Sequence, residues 1–541
     1  MRRSREQTIE FSRRGFLAAG GAALAMSRAS FGAVRSQPKA KYTRVNLNSP
    51  EAIPMLASYN KAVTVMLQLP PTDARNWYRN AFIHLLDCPH GNWWFLPWHR
   101  GYIGWFEQTC RELSGDPNFA FPYWDWTAEQ VHGTLGIPAS FSQDNALNPS
   151  NDLFIKSYDT FKAAFESPTQ EFYKGLNMDQ LDALAVRYEG QPDTQNTPEG
   201  FWKSAEPAWF GTSPRNPDFD QPTKIAVSPE TIKAALRTKT FSVAGVSGFG
   251  SGEAPQHSNS IRQSQGILES QPHNLIHNAT GGPGPEGFMT EFFSPVDPIF
   301  FMHHSNIDRL WDVWTRKQEK LRLPTLPENG LDRWQSEPFL FYVGPDGKPI
   351  ATKKDDPRGQ AGYYATIGNF DYTYTPGSGE DAVLKSYVPS KFSSQAFTSK
   401  LSSRTVGIGK MAVASTDLPN GLDEEVQAEG SDSELVAEIA LTLPTDRASN
   451  KFHVFVNPPA GSRSVSFDDP GFAGSIAPFG RHGHSDSPVT FSIPITAAVK
   501  ALRKAGRLKG GEPLNVHVVA AGSRGSVELV PVETPLASVT I

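Results

Sequence analysis

Seven of the thirteen histidines in this 541-residue chain lie in two short segments, and this grouping limits the fold more than any other feature. In the second segment, two histidines are four residues apart, so both imidazoles point to one side of a helix, as ligands of one metal must. A third nitrogen would come from the next helix. The two predicted sets of three ligands are His84, His90 and His99, and His273, His277 and His304.

The ligand chemistry narrows the choice of metal. Six imidazoles with no carboxylate or thiolate ligand suit copper or zinc better than magnesium, calcium or manganese. A two-zinc hydrolase usually has carboxylates that complete its sites. The nearby acids Asp87, Glu269 and Asp308 form no metal motif with their neighbours. An all-nitrogen pair of sites therefore favours a redox couple that binds dioxygen.

Composition excludes several classes of protein. Hydrophobic residues make up 38% of the chain and aromatic residues 11%, enough apolar surface to exclude global disorder. The formal net charge is −5 and no basic block stands out, so we expect no nucleic-acid partner. Only two cysteines, Cys88 and Cys110, exclude a disulfide scaffold, a zinc ribbon and an iron–sulfur cluster.

The first 33 residues have the composition of an export signal. Arg13 and Arg14 precede Phe16, and an apolar, small-residue run continues to Met26. This run is too short to span a bilayer, which needs about 20 apolar residues. A charged start, a short apolar centre and a small-residue end are typical of a signal peptide, and the arginine pair resembles the twin-arginine type. We therefore expect residues 1–33 to be a twin-arginine signal peptide. The mature protein would be exported in folded form by the twin-arginine machinery, to the periplasm or the exterior, without a stable membrane anchor.

The first part of the remaining chain is predicted to be mainly helical. Between its helices, residues 190–260 are rich in Pro, Gly, Ser, Thr and Asn and indicate a long surface loop. Helices are predicted at 49–68, His99–Leu113, Ile267–Asn278 and Met302–Gln318.

After Tyr374 the character of the sequence changes to short β-branched and aromatic runs. These runs predict an antiparallel β-sandwich, with one short helix over Thr496–Gly506 and an acidic loop at 422–434. We divide the chain into a catalytic domain at 40–375, a linker at 376–390 and a C-terminal domain at 391–541. The predicted strands are Lys451–Asn457, Val489–Ile495, Leu514–Ala520 and Ser526–Val532.

Two longer motifs surround the histidines. The first is His90-x4-Phe95-Leu-Pro-Trp98-His99-Arg100, continuing to Glu107, and the second is Asp297-Pro-x-Phe300-Phe301-x2-His304-x3-Asp308. Both resemble the copper signatures of the tyrosinase, catechol oxidase and haemocyanin family. Other segments, including the one that ends in Trp124-Asp-Trp126 and Lys451–Asn457, extend the resemblance to plant-type polyphenol oxidases over roughly residues 40–535.

The resemblance implies a catalytic domain whose central four-helix bundle holds two copper ions, with dioxygen as co-substrate. The implied reactions are ortho-hydroxylation of monophenols and oxidation of catechols to ortho-quinones, so small phenols and catechols are the expected substrates. The C-terminal domain would shield the active site until removed. A copper chaperone and an activating protease are the other expected partners. Two alternatives stay open: a catechol oxidase without activity on monophenols, and a dioxygen carrier like haemocyanin.

The resemblance also assigns individual residues. The second histidine of the pair 303–304 is the ligand in the family, so His304 is chosen over His303. Cys88 resembles the cysteine that forms a thioether with a copper ligand, here His90; a free thiol or a Cys88–Cys110 disulfide are the alternatives. Glu269 and Asn274 match a pair that holds a water near the copper, which would help to deprotonate a phenol.

One apolar side chain of the C-terminal domain is expected to enter the copper pocket, where the substrate would bind. The candidates are Phe472, Ile476 and Phe479. Phe479 is preferred because it lies between Pro478 and Gly480, at an expected loop tip. The alternative is that all three side chains fill the core of the sandwich.

Overall fold

Residues Tyr42–Ile541 form one compact unit. The predicted signal peptide, residues 385–390 of the predicted linker and the predicted strand Ser526–Val532 lie outside the described residues. The computed structural model describes residues 40–129, 133–164, 172–188, 215–242, 248–257, 264–281, 287–384, 400–401, 405–406, 411–419, 421–428, 431, 433–441, 451–459, 466–480, 488–520 and 534–540.

Helices dominate the region before residue 385. The α-helices, including two in the later part of the chain, are α1 (Ala52–Gln68), α2 (Trp77–Asp87), α3 (Phe95–Ser114), α4 (Asp152–Ala164), α5 (Met178–Arg187), α6 (Gln221–Ala226), α7 (Pro229–Arg237), α8 (Asn274–Gly281), α9 (Ile299–Leu321), α10 (Leu331–Ser336), α11 (Asp381–Leu384), α12 (Leu422–Gln427) and α13 (Thr496–Lys504). A π-helical turn, Glu269–His273, leads directly into α8. Short 3₁₀ segments lie at Ala139–Phe141, Phe288–Thr290, Ser294–Val296, Pro357–Gly359, Ala361–Tyr364 and Ile367–Phe370.

Aromatic packing holds the central helices together. The ring of Phe301 in α9 stacks on Phe106 of α3, with ring centroids 4.0 Å apart. The same ring lies 6.0 Å from Trp77 of α2 and 6.4 Å from Tyr59 of α1. Such pairs add roughly 0.5–1.5 kcal/mol each beyond the burial of apolar area. One phenylalanine thus joins four helices, of which α2, α3 and α9 carry candidate ligands.

A buried ionic network closes one side of this helical core. The Asp308 carboxylate accepts hydrogen bonds from Arg100 Nε at 2.6 Å and Arg44 Nη1 at 3.3 Å. The hydroxyls of Tyr372 and Tyr374 donate to the same carboxylate. Burial alone would raise the pKa of Asp308, but the two arginines and the two hydroxyls lower it below its usual value.

The C-terminal part contains two five-stranded sheets. The strands of the described chain are β1 (Tyr42–Arg44), β2 (Ser264–Gln265), β3 (Tyr372–Tyr374), β4 (Lys400–Leu401), β5 (Thr405–Val406), β6 (Met411–Thr416), β7 (Val436–Leu441), β8 (Phe452–Val456), β9 (Phe472–Ile476), β10 (Val489–Pro494), β11 (Leu514–Ala520) and β12 (Thr534–Thr540). One sheet has the order β2-β10-β7-β12-β5 and the other β4-β6-β11-β8-β9. Ile439 and Phe491 from the first sheet share one apolar core with Val454 and Val516 from the second, so the sheets pack face to face.

One strand of the sandwich comes from the helical region. β2 pairs in parallel with β10, in the register Thr490↔Ser264 and Phe491↔Gln265. The other pairings within the two sheets are antiparallel. A small parallel pair, β1 with β3, lies in the helical region. The fold class predicted from the sequence, a mainly α region followed by an antiparallel β-sandwich, is confirmed.

Two loops predicted from composition contain helices. Within 190–260, α6 and α7 each begin at a capping side chain, Asp220 or Ser228, followed by proline in the first turn. Within the acidic segment 422–434, α12 buries Leu422 and Val426. None of the described helices combines the length and apolarity that crossing a bilayer requires.

Candidate metal centre

Three histidines of the first cluster meet on one side of the helical core. His84 lies near the end of α2, His99 in the first turns of α3, and His90 in the loop between these helices. His84 Nε2 is 3.3 Å from His99 Nε2, and the ring of His90 lies 5.5 Å from His84 and 5.4 Å from His99. All three are buried. Their ring nitrogens can therefore converge on one ion.

The second cluster also brings together three of the predicted histidine ligands. His273 ends the π-helical turn, His277 follows one turn later in α8, and His304 lies in α9. His277 Nε2 is 3.4 Å from His304 Nε2, and the His273 ring lies 4.5 Å from the His277 ring. π-helical turns are rare and frequent at functional sites. This one contains Pro272 and ends at His273.

The two clusters face each other. The rings of His99 and His304 stack with centroids 4.1 Å apart and an interplanar angle of 4°. The rings of His90 and His273 lie 5.4 Å apart. Two ions held by these clusters would share one cavity, as a pair that acts on one small molecule must.

Hydrogen bonds fix which ring nitrogen of several histidines carries the proton. Nδ1 of His84 lies 2.6 Å from the Phe292 carbonyl, and Nδ1 of His277 lies 2.6 Å from the Met289 carbonyl. Nδ1 of His99 likewise lies 2.7 Å from the carbonyl of Phe95. A carbonyl only accepts, so each Nδ1 must be protonated and each Nε2 keeps its lone pair for a metal.

Burial keeps the imidazoles neutral. It lowers the pKa of His84 to about 3 and that of His273 to about 3. The pKa values of His90, His99, His277 and His304 are also lowered, first by burial and then by neighbouring histidines. Three buried ring nitrogens of the second cluster, His273 Nε2, His303 Nε2 and His304 Nδ1, have no hydrogen-bond partner in the described part of the chain. Neutral, buried, all-nitrogen donors fit copper, whose imidazole affinity is high.

His303 also lies in the second cluster, but its environment differs. Trp126 Nε1 donates a hydrogen bond to His303 Nδ1 over 3.0 Å. Since an indole N–H is only a donor, this bond occupies the Nδ1 lone pair and places the His303 proton on Nε2. This arrangement leaves no lone pair on His303 for a metal.

Cys88 lies against the ring of His90. Its Sγ is 3.3 Å from Nδ1 and 3.8 Å from Nε2, the two nitrogens that flank the Cε1 carbon. Arg187 donates a hydrogen bond to the Cys88 carbonyl and holds the loop. Cys88 and Cys110 are both buried, and no disulfide joins them.

Glu269 and Asn274 lie on the two sides of His273 along the chain, and both are bound to protein groups. Glu269 accepts from the Gly91 N–H at 2.7 Å and from the Ser251 hydroxyl at 2.6 Å. Burial raises the pKa of Glu269 to about 8, although these two donors oppose the shift. Asn274 Oδ1 lies 2.9 Å from His273 Nδ1, and its Nδ2 donates to Gln265 at 2.7 Å.

Of the three candidates for an inserted apolar side chain, the structure brings Phe479 to the histidines. Its ring centroid is 4.3 Å from that of His277, 4.7 Å from His90 and 5.4 Å from His273. Phe292 packs edge-on against it at 5.5 Å. Phe479 thus contacts imidazoles of both clusters at once.

The loop that carries Phe479 is anchored on both sides. Gly480 donates its N–H to the Thr290 carbonyl at 3.0 Å, and Asn278 Nδ2 donates to the Pro478 carbonyl at 3.4 Å. Gly480 has φ +70°, and a Cβ there would lie 2.7 Å from the Phe292 ring. Only glycine fits this turn.

The other two candidates lie elsewhere. Ile476 belongs to the apolar core of the sandwich. The ring of Phe472 packs against Phe455 at 5.0 Å and Phe467 at 5.1 Å. Ile476 thus fills the core of the sandwich, and Phe472 packs on neighbouring aromatic rings of the C-terminal part.

Sequence reasoning missed the groups that support the ligands. The carbonyls of Phe95, Met289 and Phe292 orient histidines, yet any residue has a carbonyl, so no sequence signal marks them. Gln265 was also missed, because a two-residue strand has no periodicity. The one available signal was that Gln265 can form hydrogen bonds and lies only four residues before Glu269.

These features define a binuclear site of buried, neutral imidazoles. Comparison with known proteins supports this description of the site. The family model described as the common central domain of tyrosinase matches residues 57–317. The chain is 26% identical over 305 residues to the chloroplastic polyphenol oxidase of Vitis vinifera, a match that covers 53% of this chain and 41% of that protein. It is 24% identical over 471 residues to the latent form of the chloroplastic polyphenol oxidase of Prunus armeniaca, covering 83% of this chain and 68% of that protein.

Solved structures show a similar two-part fold. A latent aurone synthase (polyphenol oxidase) from a natural source aligns with a TM-score of 0.54 at 20% identity, covering 94% of this chain and 91% of that one. At this identity the likeness concerns the fold alone. The central part of the chain, residues 57–317, is a tyrosinase-family domain, and the two relatives named above are polyphenol oxidases. The cofactors of the chain are two copper ions at the two histidine-rich groups, and dioxygen is the co-substrate typical of the family.

Proposed function

We propose that this protein is a latent copper oxidase that uses dioxygen to ortho-hydroxylate monophenols and to oxidise catechols to ortho-quinones. The ligands are His84, His90 and His99 for one ion and His273, His277 and His304 for the other. When bound, the copper pair supplies the redox chemistry and the binding of dioxygen.

The observation that supports this substrate class is the position of Phe479. Its six-membered aromatic ring lies 4.3 Å from the His277 ring and 4.7 Å from the His90 ring, in contact with both clusters. A phenol has the same ring with one added hydroxyl. A cavity that accepts this ring, with Phe292 packed edge-on, has the shape and apolarity for a phenol or a catechol.

The same contact supports latency, because the ring stands where a substrate ring would bind. The polar contacts of Gly480 and Asn278 hold its loop onto the helical region. We propose that cleavage beyond the catalytic domain (40–375), within the linker (376–390), releases the C-terminal domain (391–541) and opens the pocket. An activating protease is the corresponding partner.

Glu269 and Asn274 are proposed to help deprotonate an incoming monophenol through a held water. In the ionised form of Glu269, each carboxylate oxygen accepts one protein hydrogen bond and retains a second lone pair. Asn274 Nδ2 uses one of its two hydrogens on Gln265. One further acceptor and one further donor therefore remain for a water beside His273.

A thioether between Cys88 and His90 is proposed as well. The Sγ position beside the two nitrogens that flank Cε1 places sulfur next to that carbon. Forming the C–S bond removes the thiol hydrogen and the ring C–H hydrogen, and the two electrons pass to dioxygen as oxidant. The cross-link would fix the His90 ring on its loop.

The mature protein is proposed to be exported after folding, since residues 1–33 resemble a twin-arginine signal. Folding first would allow copper to be loaded before export, with a copper chaperone as the donor. The periplasm or the exterior is the proposed destination.

The experiment that tests the monophenol activity compares Asn274→Ala and Glu269→Gln with the native chain on a monophenol and on the matching catechol. Both substitutions should lower kcat/KM for the monophenol about tenfold more than for the catechol, since catechols lose protons more easily. Equal losses on both substrates would refute the proposed role. A Phe479→Ala variant that oxidises the catechol but never hydroxylates the monophenol would favour the catechol oxidase alternative.

A further inference from the structure

We propose that Gln265 is a positioning residue for the copper ligand His273, and that the C-terminal sheet holds it in place. The inference rests on the copper site of the proposed function. Gln265 is not itself one of the proposed copper ligands.

A chain of two hydrogen bonds links Gln265 to the ligand. Gln265 Oε1 accepts from Asn274 Nδ2 at 2.7 Å, and Asn274 Oδ1 accepts from His273 Nδ1 at 2.9 Å. All three side chains are buried. The bond to Nδ1 keeps the proton there and leaves Nε2, which has no other partner in the described part of the structure, for the metal.

Gln265 determines which way the Asn274 amide faces. If the Asn274 amide were rotated by 180°, it would present its NH₂ group to the Nδ1–H of His273, so that two donors would meet. It would also present its oxygen to the Gln265 oxygen, so that two acceptors would meet. With Gln265 in place, both contacts favour the orientation observed. Without its acceptor, only the histidine contact orients the amide.

The strand that carries Gln265 is fixed from two directions. On one side, β2 pairs with β10 of the sandwich, Gln265 lying opposite Phe491. On the other side, the Ser264 N–H donates to the Gly91 carbonyl at 2.7 Å, next to His90. A two-residue strand has little stability of its own. The position of Gln265 therefore depends on the C-terminal sheet, which acts on His273 as well as covering the pocket.

The test is a matched pair of variants of the full-length protein, Gln265→Met and Gln271→Met. Methionine has nearly the same volume as glutamine but offers no comparable acceptor. Gln271 is equally buried and donates to the Ser475 carbonyl of the sandwich at 3.1 Å, with no bond to the Asn274 amide. Copper affinity is measured by competition with a chelator, and the melting temperature of the copper-free protein reports folding.

Gln265→Met should weaken one of the two coppers about 10- to 100-fold, the usual effect of losing a group that orients a ligand. Gln271→Met should keep both affinities within a factor of about two. If both variants retain native affinities, or lose them equally, Gln265 is not a positioning residue. A native chain that binds no copper would instead refute the proposed function.

A second comparison distinguishes positioning through Asn274 from general support of the fold. In an Asn274→Ala background, Gln265→Met should cause no further loss of copper affinity, because the residue it orients is gone. An additional loss equal to that seen in the native background would show that Gln265 acts independently of Asn274, and would overturn the proposal.

Discussion

Replacing Phe479 by alanine should convert the full-length protein from a latent to an active oxidase. The ring contacts His277, His90 and Phe292, with centroids 4.3, 4.7 and 5.5 Å away. A substrate ring can occupy this place only after Phe479 has left it. The substitution removes the competing ring and leaves the six histidines unchanged.

The magnitude follows from what the ring gains by staying in the pocket. Burying a phenylalanine side chain contributes about 1.5–3 kcal/mol. If withdrawal of the ring costs about 2–3 kcal/mol, the pocket is open in roughly one molecule in 30 to 150, since each 1.4 kcal/mol is a factor of ten. The variant should therefore show kcat/KM for a catechol about 30- to 150-fold above that of the native latent chain.

The assay is oxygen consumption with a catechol, on copper-loaded protein, before and after proteolytic trimming. Phe472→Ala is the matched control, because Phe472 belongs to the same region but packs on Phe455 and Phe467. Each substitution lowers stability by about 3–5 kcal/mol if the cavity does not collapse, so melting temperatures are compared first. Trimming should activate the native chain and the control strongly, and Phe479→Ala little further. A folded, copper-loaded Phe479→Ala variant that stays as latent as the native chain would refute the reasoning.

Three further predictions follow from the site and its support. His304→Ala should lower bound copper to about one ion per chain, while His303→Ala should keep two, as measured by elemental analysis; the reverse pattern would mean that the wrong histidine was chosen. Denatured, reduced protein should show one titratable thiol, from Cys110, and the peptide with Cys88 should be lighter by two hydrogen atoms, whereas two thiols would reject the thioether. Asp308→Asn should cost about 3–5 kcal/mol of unfolding free energy at neutral pH, because it leaves the buried Arg100 without its carboxylate partner, while Arg44 keeps Glu107. Because the pKa of Asp308 is lowered in the fold, its stabilisation is present above the ordinary value of about 3.9 and is lost as pH falls further, so the two proteins should converge in acid.

Apolar periodicity predicted much of the helical region correctly. The helices expected at 49–68, His99–Leu113 and Met302–Gln318 correspond to α1, α3 and α9, each within a few residues at either end. Helix α2 was not predicted, since all its residues except Arg79 are buried and it has no polar face to create a period.

In the sandwich, strands β10 and β11 were predicted within one residue from their β-branched and aromatic content. The acidic segment at 422–434 was predicted to be a loop, but it contains helix α12. Two buried residues, Leu422 and Val426, are enough to anchor this short helix against the core. Strand β2 could not be predicted. Two residues form it, and its partner lies more than 200 positions away along the chain.

The candidate ligands came from spacing and motifs: His273 and His277 are one helical turn apart, His90, His99 and His304 lie in the two family motifs, and His84 lies six residues before the first. The groups that surround these ligands could not be predicted from spacing. The carbonyls of Met289 and Phe292 that orient His277 and His84 depend on how distant segments fold together. The place of Phe479 depends on the docking of the C-terminal part, which composition alone does not specify.

The most direct test of the central claim is to measure copper content and oxygen consumption on the same preparations of Phe479→Ala protein. We predict two copper ions per chain, and catechol-dependent oxygen consumption that rises in proportion to the fraction of chains holding both. Protein that holds two coppers with its pocket open but consumes no oxygen with any catechol would contradict the account and favour a dioxygen carrier.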